Sequence, residues 1–263
     1  MNTLNIATAP REAIVREICA CFLESVDTYR TVPSVQILKG AGYQTLLSGI
    51  QFLGANSVLL SEKNAPETTV QESITALREA NVPFMIYVVP PASEESILIL
   101  AERFRLTAGK RMPAMVANLD ACKGDGPLPS GVILKVVENE LDLSAWCGIF
   151  KRVFDWPNEA IQLLAEAWRQ GDEWEFYLAI KNGISVGCSS NFFGSRMSGI
   201  YSEGVVTEAR RQGIGAALVR LCMKRAGERG FKSSMLFASL DGIGVYRKCG
   251  YTDSFNMPVF LSR

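Results

Sequence analysis

No histidine occurs anywhere in the 263-residue chain. That removes the usual general base near neutral pH, the serine–histidine triad and most zinc chemistry. Neither sign of charge is in excess. The 27 Lys+Arg balance 27 Asp+Glu, so no overall attraction to nucleic acid or to an anionic membrane is expected. Long apolar runs are missing too; none approaches the roughly 18–20 residues that span a bilayer. Arg11, Glu12, Arg16 and Glu17 interrupt the stretch where a secretory signal needs unbroken apolar sequence. The expected location is cytoplasmic. The seven cysteines are scattered and odd in number. Only Cys19 and Cys21 are close, and positions i and i+2 do not share a helix face. Reduced cysteines, mostly in the core, are expected rather than a disulfide or metal framework.

What the chain has in plenty is apolar side chains, 48% of its residues. The length suits one large domain or two small ones. Ile14, Val15, Ile18, Cys19, Phe22 and Val26 recur at helical spacing. An extended stretch "NSVLLSE", a helix over about 68–80 with Val70, Ile74 and Leu77 on one face, and a buried strand "PFMIYVV" follow. Then come a helix "SEESILILAERF", capped by Ser93 with Ser96 nearby, and a strand "PAMVANL". The segment "DACKGDGPLPSG", residues 120–131, is rich in Gly, Pro and Asp. It is the expected boundary between an N-terminal α/β domain, 1–125, and a C-terminal domain, 131–263.

The second half reads as a strand "GVILKVVE", two helices broken at Pro157, and a hairpin turning at Asn182-Gly183. Next come a strand "SGIYSEGVV", a glycine loop with its helix ending near Gly230, a strand "FKSSMLFAS", a short helix and a last strand "YTDSFNMPVFLS". This is a mixed, largely antiparallel sheet flanked by helices, an α+β class. The strand–helix order of the first half fits either a degenerate copy of the second or an unrelated α/β module. Where the second half has its glycine loop the first has "SEKNAPETTV", with no glycine and no arginine, so no equivalent ligand site is expected there.

The loop "RRQGIGAALVRL", beginning at Arg210, opens a helix with glycine, a poor helix former. The first N–H groups of a helix have no partner and the dipole is positive there. Glycine lets a phosphate come close to such amides. It is not a Walker loop, which needs G-x-x-x-x-G-K-[ST]. Nor is it a Rossmann turn: Leu218 stands where a third small residue belongs, and six residues separate Val206 from Gly213.

The remaining pattern, R-x-x-G-x-G from Arg210 to Gly215, followed by "MLFASLDGIGVYRKCGY", resembles the Gcn5-related N-acetyltransferase (GNAT) family over roughly residues 131–263. The resemblance implies acetyl-CoA as cofactor. It implies parallel strands that splay apart around the pantetheine arm, with the backbone of Glu203, Gly204, Val205 and Val206 exposed to it. Pyrophosphate would rest on Arg210, Arg211, Gln212, Gly213, Ile214, Gly215 and Ala216. Ser239 stands where the family commonly has an asparagine touching the cofactor. Gly242 and Gly244 either make room for the cofactor or loosen a loop.

Amide formation from a thioester needs a neutral amine and a proton for the departing sulfur. The resemblance implies Tyr246 as proton donor; the plain alternative is a core tyrosine. The family's usual glutamate on the second strand is replaced by Ser234. Glu203 on the first strand is the candidate base, since a carboxylate within a buried strand is costly unless paired or used; an exposed or bulged strand position also explains it. Asp155, Trp156 and Glu159, near the Pro157 break, are candidates for an acidic, aromatic acceptor wall suited to a cationic amine. The expected function is acetyl transfer to a primary amine of a small molecule or peptide. The alternatives are a CoA-holding sensor or scaffold, and a first half that docks a protein substrate.

Overall fold

Helix-period and strand-period segments follow one another in a regular order. They are α1 (Arg11–Asp27), β1 (Gln36–Gly40), β2 (Tyr43–Leu47), β3 (Ser57–Leu60), α2 (Glu67–Glu79), β4 (Met85–Val88), α3 (Glu95–Arg103), β5 (Thr107–Ala108) and β6 (Met112–Asn118). After the break come β7 (Val132–Val136), α4 (Glu140–Phe154), α5 (Asn158–Gln170), β8 (Trp174–Lys181), β9 (Ile184–Phe193) and β10 (Ser198–Val205). The chain closes with α6 (Ile214–Glu228), β11 (Ser233–Phe237), α7 (Ile243–Lys248), β12 (Thr252–Met257) and β13 (Val259–Leu261). This computed structural model describes residues 3–63, 67–121 and 126–262, without the side chains of Glu67, Thr69, Ser96 and Ile99.

Contacts divide the chain into a larger unit, Met1–Cys21 with Ala114–Ser254, and a smaller one, Phe22–Pro113 with Phe255–Arg263. The division does not fall at 120–131, of which residues 122–125 lie outside the described residues. Strand exchange is the reason. β6 precedes the break, yet it pairs antiparallel with β11. β13, at the other end of the chain, pairs with β4 and β5. The segment "YTDSFNMPVFLS" is therefore two strands in two sheets, interrupted at Pro258, which has no N–H to donate to a ladder.

The smaller unit's sheet has the order β1-β2-β3-β4-β13-β5, and the larger unit's has β12-β6-β11-β10-β9-β8-β7. Each contains one parallel pair joined through a helix, β3/β4 through α2 and β10/β11 through α6. Beyond that pair, each takes an antiparallel strand from the other half of the sequence. The β1/β2 hairpin, not foreseen in the sequence, completes the likeness. The shared order favours the degenerate-copy reading of the first half.

The two parallel pairs differ at one point. β3 and β4 stay paired along their whole length, Ser57↔Met85 to Leu60↔Val88. β10 and β11 pair only from Ser198↔Ser234 to Ile200↔Leu236, although β10 runs on to Val205. The opening exists in the larger unit alone.

In the smaller unit Val58, Ile86 and Val88 of the sheet pack against Val70, Ile74 and Leu77 of α2. α3 begins one residue later than expected: Glu94 holds the cap position without a side-chain bond, and the side chain of Ser96 is outside the described residues. In the larger unit Trp146 of α4 is fully buried, stacks on Phe176 at 4.2 Å and donates Nε1–H to the Ser189 carbonyl at 3.0 Å. The hairpin turn at Asn182 and Gly183 has the positive φ values, 50° and 80°, of a two-residue connection. Among the described residues no two cysteines are joined in a disulfide, and no described helix is long and apolar enough to cross a membrane.

One buried carboxylate ties α6 to the sheet. Glu175 of β8 accepts from Arg225 Nε at 2.7 Å and Nη2 at 2.8 Å, from Arg229 Nη2 at 3.0 Å and from Tyr177 Oη at 2.7 Å. Burial raises its pKa, but the bonds from Arg225 and Tyr177 outweigh that and hold it at about 2. A depressed carboxylate stabilises the fold above its unfolded pKa, and that stability fades as pH falls through the folded value. Denaturation followed from pH 5 to pH 2 should therefore show a loss of at most about 3 kcal/mol at this site, and Glu175→Gln should flatten that part of the profile. An unchanged profile in Glu175→Gln would show that Glu175 is not the group responsible.

Candidate functional site

The site is built where β10 leaves β11. Tyr201 pairs with Ser190 of β9, but the next pair is Gly204↔Cys188, so Ser202 and Glu203 together oppose one residue. This is a β-bulge. Ser202 takes a left-handed backbone, φ 56°, which few non-glycine residues adopt. The bulge carries Glu203 toward the start of α6. There its Oε2 accepts a hydrogen bond from Tyr246 Oη of α7 at 3.0 Å. The two candidate catalytic side chains are thus partners.

Burial raises the pKa of Glu203, and the Tyr246 hydrogen bond offsets only part of that rise. Tyr246 is held well above its ordinary value by burial, and further by the Glu203 charge. The pair therefore combines a carboxylate that takes up a proton more readily than usual with a phenol that keeps its own. Tyr246 is also a core residue, 6% exposed and edge-on to Tyr251 at 6.3 Å, so its two readings are not exclusive.

The loop before α6 is shaped for an anion. Arg211 has φ 62° and Gly213 φ 81°, left-handed residues that turn successive amides inward. The first bond into the helix runs from Ala217 N–H to the Gly213 carbonyl at 3.0 Å. Among the described residues, the amides from Arg211 to Ala216 have no backbone acceptor. The space where Gly213 would carry a Cβ is bounded only by Pro129, at 3.7 Å. Arg210 and Arg211 are exposed. These residues fit a phosphate group.

The other expected contacts fall out unevenly. Arg210 Nε donates to the Val205 carbonyl at 3.0 Å, so that acceptor is already engaged. Val206 and Ile214 are buried; Val206 N–H already donates to the Val186 carbonyl at 2.9 Å and its carbonyl accepts from Ala209 N–H at 3.0 Å, so only the backbone of Ile214 is left for a ligand. Lys181 Nζ donates to Gln212 Oε1. Ser239 is exposed, and its hydroxyl accepts from Gly242 N–H at 3.2 Å just before α7. Gly242 is needed because a Cβ there would meet Tyr246 at 2.7 Å, whereas nothing lies near Gly244. Ser234 is fully buried and accepts from Tyr251 Oη at 2.9 Å, so it is structural.

Asp155, Trp156 and Glu159 lie at the α4–α5 corner. Asp155 closes α4 in a left-handed conformation, φ 54°. Trp156 sits edge-on to Phe150 at 5.2 Å. Asp155 and Glu159 are exposed, and the structure does not bring either into hydrogen-bonding contact with Glu203 or Tyr246. The sequence reading missed Val153 and Phe154 as neighbours of β10. A Cβ on Gly204 would collide with Val153 and come within 3.1 Å of Phe154. A glycine inside a strand was the available signal, since it marks close approach.

Residues 142–251 match the Acetyltransferase (GNAT) family. This part of the chain is a GNAT domain. Two curated relatives are mycothiol acetyltransferases. That of Streptomyces griseus is 26% identical over 48% of this chain and 44% of its own length; that of Thermobispora bispora is 28% identical over 58% and 57%. The chain thus matches only about half the length of each relative.

Among solved structures, a GCN5-related N-acetyltransferase from Kribbella flavida superposes with a TM-score of 0.69 at 18% identity, covering 92% of this chain and 94% of its own. A tandem GNAT protein from the clavulanic acid biosynthesis pathway reaches 0.62 at 13% identity, covering 93% and 92%. At those identities the likeness is one of fold. It extends through both units.

Gly204→Ala should cost about 1–3 kcal/mol in denaturant unfolding, because α4 must yield to the added methyl. A variant as stable as the parent would show that α4 does not lie tightly on β10.

Proposed function

We propose that the larger unit transfers an acetyl group from acetyl-CoA to the primary amine of a small molecule or peptide. The observation that carries this is the Tyr246–Glu203 hydrogen bond, placed where β10 leaves β11 and beside the amide-lined start of α6. The cofactor supplies an activated acyl group as a thioester. The chain's residues do the rest. The amides from Arg211 to Ala216 and the two arginines orient the diphosphate. Glu203, its pKa raised by burial, takes a proton from the incoming ammonium and leaves a neutral nucleophile. As the nitrogen–carbon bond forms and the carbon–sulfur bond breaks, Tyr246 gives its proton to the sulfur. Glu203, already bonded to Tyr246, returns a proton to it. The pair thus returns to its starting state, Tyr246 protonated and Glu203 a carboxylate, and the nitrogen sheds its second proton to water as the amide forms.

The curated relatives' name supports acetyl transfer in general. Exposed Asp155 and Glu159 beside Trp156 and Phe154 suit a positively charged amine at the site's rim. The sensor or scaffold reading leaned on Ser234 and Ser239; Ser234 holds Tyr251, and Ser239 accepts from Gly242 N–H before α7.

The test is thiol release from acetyl-CoA with a panel of amino sugars, polyamines, amino acids and peptides. At least one amine should be acetylated, and Tyr246→Phe and Glu203→Gln should each lower kcat by about 10²-fold or more. The rate should rise with pH along a limb above the ordinary glutamate range, because the raised Glu203 must lose its proton to act. CoA binding with no turnover on any amine would favour the sensor reading, and full activity in both variants would remove the pair from the chemistry.

A further inference from the structure

Gly213 and Gly215 look alike in the sequence, but the structure gives them different reasons. Gly213 needs its left-handed φ of 81°. Gly215 does not: it lies in the first turn of α6, where alanine is the better helix former. What excludes a side chain is a single neighbour. A methyl group on Gly215 would meet Glu203 Oε1 at 2.8 Å, and the next nearest atoms, Glu203 Cδ and Val205 Cγ2, are both at 3.9 Å. The carboxylate of Glu203 rests on the bare backbone of that turn.

We infer that Gly215 is a positioning residue for Glu203: its missing side chain lets the carboxylate seat against α6 and reach Tyr246. The inference rests on the function proposed above. Three features hold the carboxylate. The bulge, with Ser202 at φ 56°, aims Glu203 away from the regular strand alternation. Tyr246 binds Oε2 from α7. Gly215 leaves room for Oε1. The titratable groups that face it are Tyr246 from α7, Cys188 from β9 and Cys222 from α6. Alanine at 215 pushes a flexible carboxylate aside rather than breaking backbone, so the fold is kept. The displaced carboxylate gains water and loses the burial that raised its pKa.

Gly215→Ala, Glu203→Gln and the double variant separate this from a direct contact with the cofactor. Gly215→Ala should melt no lower than the parent and bind CoA within about twofold, while kcat/KM for the amine falls about tenfold. The acid limb of its pH profile should move to lower pH. In the Glu203→Gln background the same change should cause no further loss, because the carboxylate it acts through is gone. Carbon NMR of the Glu203 carboxyl reads the same displacement without turnover and should show its titration moving toward the ordinary glutamate value. An unmoved Glu203 titration in Gly215→Ala overturns the inference. So does an equal loss of rate in both backgrounds accompanied by weaker CoA binding. A parent enzyme that acetylates nothing counts against the proposed function instead, and the NMR result still decides the role of Gly215.

Discussion

The site depends on a pair of parallel strands that stop pairing. β10 and β11 share a ladder for three residues and then separate after Ile200 and Leu236. Unpaired backbone in a sheet is costly unless something else uses it. Here the remainder of β10 is held from its other side by β9, kinked by the bulge at Ser202–Glu203, and capped at its end by Arg210 on the Val205 carbonyl. The separation exposes one strand edge, and the same bulge delivers a carboxylate to it. α6 then brings free amides and α7 brings Tyr246. Each piece is ordinary by itself; the proposed chemistry comes from their meeting at one point.

The smaller unit shows what the same order of strands does without that separation. β3 and β4 remain fully paired, and the sequence between β3 and α2 has neither glycine nor arginine. A continuous ladder satisfies its own backbone. The two sheets also trade strands: β6 and β13 each complete the sheet of the other half of the sequence. A deletion of the last strand would thus remove pairing from the smaller unit's sheet, not the larger's.

Local features were readable in the sequence and long-range ones were not. The α6 loop, the Asn182–Gly183 turn and the Pro157 break are written in single residues with strong backbone preferences, and each lies where expected. The exchange of β6 and β13 is a matter of which distant strand pairs with which, and no local preference encodes that. Pro258 was its only visible trace. The 120–131 segment looked like a border because of its Gly, Pro and Asp composition, while the chain had already crossed into the larger unit at Ala114. Glu203 was legible as a candidate because a carboxylate in an apolar strand is conspicuous. Its neighbour Ser202, which makes the bulge, is not conspicuous at all. Gly215 was assigned to the phosphate from the R-x-x-G-x-G pattern; the structure also places a carboxylate beside it.

The central claim is that an anionic cofactor is held by the amides at the start of α6 and along the exposed end of β10. Hydrogen exchange of the intact chain with and without coenzyme A measures those amides directly. The account predicts new protection at Arg211–Ala216 and Glu203–Val205, with β3, β4 and the start of α2 unchanged. Protection confined to the smaller unit, or none at the α6 loop under saturating coenzyme A, would contradict it.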